Sequence, residues 1–152
     1  MFYGLFRHHV DAKGRVALPA QFRRELAQGC VIAIGPEGRL VIRSPEEWKA
    51  LEERYRMTSE TPAEERAYIR QLYSNARAVE LDAQGRILLT PEQRAFAQIG
   101  DRVVFVGSGN IVELVGEPVW DGEMSTFSPA TFTELGDSLN KRGPSGPATQ
   151  PV

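Results

Sequence analysis

Two short stretches of the chain place an aspartate, a glycine and an arginine at one spacing: Asp11, Gly14 and Arg15, then Asp82, Gly85 and Arg86. In an Asp-x-x-Gly-Arg run the first carboxylate accepts a backbone N–H two residues on. Glycine at the fourth position takes the left-handed conformation, which gives a type I turn closed by a G1 bulge. Asp11, Gly14, Asp82 and Gly85 are therefore turn-forming residues first. The available chemistry belongs to the arginines. Each leaves its turn at the start of a strand, a rigid base from which a planar guanidinium reaches either a phosphate or the O6 and N7 edge of guanine. One such exposed arginine is ordinarily a solvated side chain. Two, held out on a common side about a two-fold axis and free of internal ion pairs, would read two equivalent features of a duplex.

Other chemistries find less support. His8 and His9 are neighbours in an alternating stretch, so their side chains point to opposite faces and cannot chelate one metal. The chain has no phosphate-binding Gly-rich loop of Walker type, no G-x-S-x-G elbow and no His/Cys cluster at ligand spacing. Cys30 adjoins the apolar run Val31 to Ile34 and reads as a partly buried, inert thiol. Glu46/Glu47 and Glu52/Glu53 read as a solvated helix face. No enzyme, cofactor, metal or small-molecule substrate is indicated.

The elements that carry the two turns are themselves duplicated. Residues 11 to 29 and 82 to 100 align at an offset of 71 with seven identities in nineteen positions, among them Arg23 with Arg94. The segments 31 to 42 and 103 to 114 follow, each two β-rich runs split by a glycine turn. A Trp-bearing segment comes next in both copies, at Trp48 and Trp120. The pattern predicts strands near 5 to 11, 14 to 18, 31 to 34 and 39 to 43, then 77 to 82, 86 to 89, 103 to 106 and 111 to 115. In the first, Phe6, His8 and Val10 share one face and Leu5, Arg7 and His9 the other. Each copy adds a short helix. About forty residues cannot bury enough apolar surface alone, so two copies packed about a pseudo-two-fold are expected. Three Ser/Thr-Pro boxes, opening at Ser44, Thr61 and Thr90, mark helix starts. The first two open helices of about 45 to 57 and 62 to 76, a helical hairpin between the copies.

Composition bounds the partner. The 152 residues carry Lys+Arg 18 against Asp+Glu 20, a net charge of −2, one Cys and 41% hydrophobic residues, an ordinary globular balance. A nucleic-acid role must then rest on local clustering of cations. Residues 1 to 29 supply such a cluster: Arg7, Lys13, Arg15, Arg23 and Arg24 against Asp11 and Glu25, a local charge of +3. The acids gather in the helical hairpin. No apolar run approaches the roughly 20 residues of a membrane helix. Residues 1 to 4 do not begin a basic-then-apolar leader, so a soluble cytosolic protein is expected.

The run MFYGLFRHHVDAKGRVALPAQFR, the Trp-bearing helix and VELDAQGRILLTPEQR together resemble the MraZ family of bacterial transcriptional regulators, built from two SpoVT-AbrB-type repeats. The resemblance covers about residues 1 to 120. It implies an α+β, β-rich fold, an intramolecular swapped-hairpin β-barrel made of two AbrB-like repeats with a helical hairpin between them. Residues 1 to 47 would form the first repeat, 48 to 76 the helical hairpin, and 77 to 120 the second repeat. Residues 121 to 152 would be a C-terminal extension with a disordered end. The resemblance further implies a cytoplasmic, nucleoid-associated homo-oligomer, a ring, that binds double-stranded DNA at short promoter direct repeats of the division and cell-wall gene cluster. Its DNA contacts map to the two Asp-x-x-x-Arg motifs, hence to Arg15 and Arg86. Lys13, assigned to phosphate, Gln84 and Arg7 complete the candidate set. The motif departs from the usual family pattern at Thr90, where proline is the common residue; Thr caps a helix well, so little effect is expected.

Two other readings stay open: a non-enzymatic oligomeric interaction module whose arginines make subunit contacts, and an AbrB-like antitoxin. The latter needs a partner-binding tail, and residues 125 to 152 show no amphipathic helix by this reading. The Pro/Gly/Ser-rich end from Asn140 is expected to be disordered.

Overall fold

Alternation along the first strand decides which residues turn inward, and the structure keeps that pattern. In a computed structural model that describes residues 1 to 141, β1 (Leu5–His9) half-buries Phe6 and His8 and exposes Leu5, Arg7 and His9. The remaining strands are β2 (Arg15–Ala17), β3 (Cys30–Ile34), β4 (Leu40–Arg43), β5 (Arg77–Val79), β6 (Arg86–Leu88), β7 (Arg102–Gly107) and β8 (Val112–Gly116). All eight lie where the repeat pattern places them. Six α-helices accompany them among the described residues: α1 (Ala20–Arg23), α2 (Pro45–Arg54), α3 (Ala63–Ser74), α4 (Pro91–Phe96), α5 (Glu117–Met124) and α6 (Pro129–Lys141). The fold is α+β, with one large antiparallel sheet.

The pairing interleaves the two copies. The six-stranded sheet runs β1-β7-β8-β4-β3-β5, and β2 pairs with β6 in a separate ribbon. Exchanging each strand for its counterpart, β1 for β5, β7 for β3 and β8 for β4, reverses the order and leaves the sheet unchanged. Register obeys the same symmetry. Val41 faces Glu113, flanked by Leu40 opposite Leu114 and Ile42 opposite Val112. Val16 faces Ile87, flanked by Arg15 opposite Leu88 and Ala17 opposite Arg86. A pseudo-two-fold axis passes through both central pairs. Closure into a barrel does not follow: among the described residues the large sheet ends at β1 and β5, and an isolated Val10–Val16 bridge links the end of β1 to β2. The three-residue strands β2 and β6 use up their short ladder on each other.

Between ribbon and sheet lies the core, with Leu18, Phe22, Leu26, Ile32, Ile42, Ile87, Leu89, Phe105 and Leu114 all buried. The helical hairpin is present, with Trp48 of α2 edge-on to Tyr73 of α3 and Tyr55 edge-on to Tyr68. Its caps differ from expectation at one end. Ser44 accepts from the Glu47 N–H at 3.2 Å, and Thr90 and Gln93 form a complete capping box. Thr61 instead turns its hydroxyl to the Thr58 N–H at 2.8 Å, and Pro62 caps α3 without a side-chain bond.

The region beyond residue 124 requires a larger correction. Residues 129 to 141 form a helix, α6, where no amphipathic helix was expected. Ser128 supplies the start signal: its hydroxyl accepts from the Thr131 N–H at 3.2 Å, and Pro129 presets the first turn. Asn140 and Lys141 close this helix, and the rest of the expected disordered end lies outside the described residues.

Candidate nucleic-acid interface

Both turns form as their residue types dictate, and they form alike. In the first, Asp11 Oδ1 accepts the N–H of Lys13 at 2.9 Å and of Arg15 at 2.8 Å, and the Gly14 N–H donates to the Asp11 carbonyl at 3.0 Å. In the second, Asp82 Oδ1 accepts from Gln84 and Arg86, both at 2.9 Å, and the Gly85 N–H donates to the Asp82 carbonyl at 2.9 Å. Gly14 and Gly85 sit at φ +85° and +74°, the left-handed region that glycine enters without strain. Both aspartates are held below the usual carboxylate range, chiefly by the backbone N–H of Arg15 or Arg86 and further by that arginine's side chain.

The β2–β6 register then sets the direction of the arginines. Paired residues share a face of an antiparallel ribbon, and side chains alternate along each strand. Val16 and Ile87 point into the core at 1% exposure each, so Arg15, Ala17, Arg86 and Leu88 all lie on the outer face. Arg15 and Arg86 stand at diagonal positions about the axis. The expectation of two arginines free of ion pairs is corrected here. Arg15 Nε donates to Asp11 Oδ2 and Arg86 Nε to Asp82 Oδ2, each at 2.8 Å, and Arg86 Nη1 also lies 3.7 Å from Asp11 Oδ2. The cause is the turn itself, which brings the carboxylate four residues back within reach of Nε. Anchoring through Nε fixes each guanidinium plane. The terminal nitrogens of Arg15 enter none of the hydrogen bonds found among the described residues, and Arg86 Nη2 makes a long one to Gln84 Oε1 at 3.4 Å. Each side chain remains about one-third exposed.

Lys13 and Gln84 occupy equivalent exposed turn positions, one cationic and one neutral. Arg7 is placed elsewhere: Nη1 pairs with Glu117 at 3.1 Å and Nη2 with Asp121 at 2.8 Å, both on α5. Arg102 and Arg39 hold the same helix through Glu117 and Glu123. The structure thus makes Arg7 an anchor of α5 and does not bring it into the group at the turns.

Two residues join that group that were not among the candidates. The guanidinium of Arg23, from α1, lies over Gly85, where a Cβ would come within 2.6 Å of its Nε. Arg94, from α4, lies over Gly14, where a Cβ would meet its Nε at 3.1 Å and the Leu89 carbonyl at 2.9 Å. Each copy therefore reaches across to the other copy's turn. Arg23 Nε donates to the Leu18 carbonyl at 2.9 Å, whereas Arg94 Nε is buried without a partner. The signal was in the repeat alignment, in the identity of these two arginines. Around the paired turns, Lys13, Arg15, Arg23, Arg86 and Arg94 outnumber Asp11 and Asp82, a cationic patch on a chain of net negative charge.

Fold and site together define a tandem-repeat α+β protein that presents one arginine-bearing turn twice from a shared ribbon. A family model described as "MraZ protein, putative antitoxin-like" matches residues 1 to 70 and again 72 to 142. Relatives named "Transcriptional regulator MraZ" match along most of the length. One from Thermoanaerobacter sp. (strain X514) is 36% identical over 140 residues, 92% of this chain and 97% of its own. One from Desulfitobacterium hafniense (strain Y51) is 39% identical over 143 residues, 94% and 99%. One from Natranaerobius thermophilus is 40% identical over 121 residues, 80% and 85%. The chain belongs to the MraZ family. Among the described residues no group of His, Cys, Asp and Glu is placed to hold a metal ion, and no helix is long and apolar enough to cross a membrane.

Proposed function

We propose that this chain is a DNA-binding transcriptional regulator of the division and cell-wall gene cluster, cytoplasmic and associated with the nucleoid. Arg15 and Arg86 read guanine edges or phosphates, Lys13 contacts phosphate, and Gln84 takes the equivalent place on the second turn. The observation that carries this reading is the β2–β6 register, which puts both arginines on one exposed face with their planes set by Asp11 and Asp82. A fixed plane matters because bidentate recognition of a base edge requires the guanidinium fork already oriented. The relatives' name as transcriptional regulators supports the same reading. Strand exchange between the copies supports a scaffold of two swapped hairpins.

The target in this reading is a set of short direct repeats, engaged by a ring in which each subunit takes one repeat. Repetition of a modest cationic patch converts weak contacts into avidity and offsets the chain's net negative charge. A gel-shift titration against the region upstream of the protein's own operon tests it, with one repeat or with two or three in phase, at two salt concentrations. In-phase repeats bind far more tightly than one. Log K falls with log salt by about 0.9 for each phosphate neutralised. Equal affinity for one repeat and several, or no salt dependence, contradicts the reading.

A further inference from the structure

The two turns share their backbone hydrogen bonds but differ in the side chains they hold outward. Lys13 on the first corresponds to Gln84 on the second, so residues 11 to 15 carry a net charge of +1 and residues 82 to 86 carry none. Arg94 over Gly14 and Arg23 over Gly85 add one positive charge at each turn and leave that difference in place. The carboxylates are divided unequally as well. Among the described residues Asp82 Oδ2 pairs with Arg86 alone, at 2.8 Å, whereas Asp11 Oδ2 pairs with Arg15 at 2.8 Å and lies 3.7 Å from Arg86 Nη1. Arg86 therefore stands between two carboxylates, and its Nη2 lies 3.4 Å from Gln84 Oε1. Arg15 is held through Nε only, and both of its terminal nitrogens stay open.

Whether an arginine reads a base or holds a phosphate depends on what its terminal nitrogens have left to give. A guanine edge takes two parallel donors in one plane, so the nitrogens that meet O6 and N7 must both be free to face it. A phosphate oxygen accepts a single donor and carries no sequence information. Arg15, its plane fixed and Lys13 beside it, meets the first requirement. Arg86, with Nη1 toward Asp11 and Nη2 toward Gln84, has only single N–H groups to give and meets the second. Spacing puts both on one stretch of duplex. Diagonal positions on an antiparallel ribbon lie about 7–8 Å apart, far less than the roughly 34 Å between half-sites that a symmetric protein reads one helical turn apart. The two arginines fall on the same few base steps and have no need to read alike.

We infer that the two turns do different work within one site: Arg15 determines specificity by reading a guanine edge, Arg86 holds the backbone beside it, and each subunit therefore docks on DNA in one direction only. The inference rests on the DNA-binding reading above and assigns its two halves. Equal turns about a two-fold would accept a duplex in either direction, which suits a palindrome. Unequal turns select one direction, which suits repeats that all point the same way.

Fluorescence anisotropy tests it with three duplexes of equal length: the region upstream of the protein's own operon, the same region with deazaguanine for guanine, and a scrambled sequence of the same composition. Deazaguanine still pairs with cytosine but carries C–H in place of the N7 acceptor. The wild-type chain binds the upstream duplex about tenfold or more tightly than either control. Arg15→Ala brings the three affinities to within about twofold of one another. Arg86→Ala weakens all three alike, by roughly tenfold, keeps the wild-type ratios and lowers the slope of log K on log salt by about 1 for each subunit engaged. Arg15→Met, which keeps an apolar stem, repeats the first arm should Arg15→Ala alter the circular dichroism. Ratios lost in both variants, ratios lost in Arg86→Ala alone, or a wild-type chain indifferent to deazaguanine overturn the inference and leave the regulator reading standing. A wild-type chain that binds none of the duplexes overturns both.

Discussion

The two turns are near copies, while the packing behind them is not. Corresponding hydrogen bonds of the Asp11 and Asp82 turns agree to within 0.1 Å. Behind the first turn, however, Phe22 of α1 packs edge-on against Phe2 and Phe6. At the equivalent place in the second copy stands Gln93, equally buried, whose amide donates to the carbonyls of Ile32 and Asn75, both at 3.1 Å. Symmetry is thus kept at the arginine-bearing turns and given up where the interior need only be filled and satisfied. The outer helices diverge further, α3 docked and α6 not.

Core substitutions separate the two solutions most sharply. Phe22→Ala removes an aromatic side chain and leaves a cavity, with an expected loss of about 3–5 kcal/mol in chemical denaturation. Gln93→Leu keeps the volume but removes the donor to the Ile32 and Asn75 carbonyls, the first of them in a buried bond, with an expected loss of about 1–3 kcal/mol. Equal losses for the two would mean that Gln93 acts by bulk alone. At the turns, alanine at either glycine carries the left-handed strain of about 1–2 kcal/mol. Gly14→Ala adds a clash with the Leu89 carbonyl, whereas Gly85→Ala meets only the movable Arg23 side chain. The first is therefore the more destabilising, and the reverse order would contradict the packing described.

Acidity offers a subtler comparison. A carboxylate held below its ordinary range adds stability that is complete above the unfolded value of about 3.9 and is lost as pH falls through the lower folded value. Both turns should stay intact from pH 8 down to pH 5. Carbon-detected NMR of Asp11 and Asp82 is expected to place both midpoints below 3.9, and a midpoint at or above it would show the turn bonds to be absent in solution.

Much of this organisation was legible in the residues. The eight strands follow from alternation and glycine turns, both local signals. The turns follow from Asp-x-x-Gly, and α4 from its capping box. Two contacts that depend on distant chain segments were not legible. Arg7 meets Asp121 from 114 positions away, so its capture by α5 left no trace in its own neighbourhood. Arg23 and Arg94 were visible as identities, but only the folded cross-over shows each lying on the other copy's glycine. The ion pairs of Arg15 and Arg86 were implicit in the turn, since it brings each aspartate and its arginine together. α6 lacks the Glu or Gln that stands three residues after the hydroxyl in the other boxes, Thr131 standing there, which concealed its start at Ser128.

In the proposed reading both turns face one duplex. Fluorescence anisotropy with a duplex carrying the proposed direct repeats, comparing Arg15→Ala, Arg86→Ala and Arg7→Ala at matched salt, separates the turns from the rest of the surface. Each turn variant is expected to weaken binding by about 1–3 kcal/mol, with circular dichroism unchanged, whereas Arg7→Ala leaves DNA affinity near that of the wild type. Wild-type affinity in both Arg15→Ala and Arg86→Ala, with the fold intact, would contradict the account.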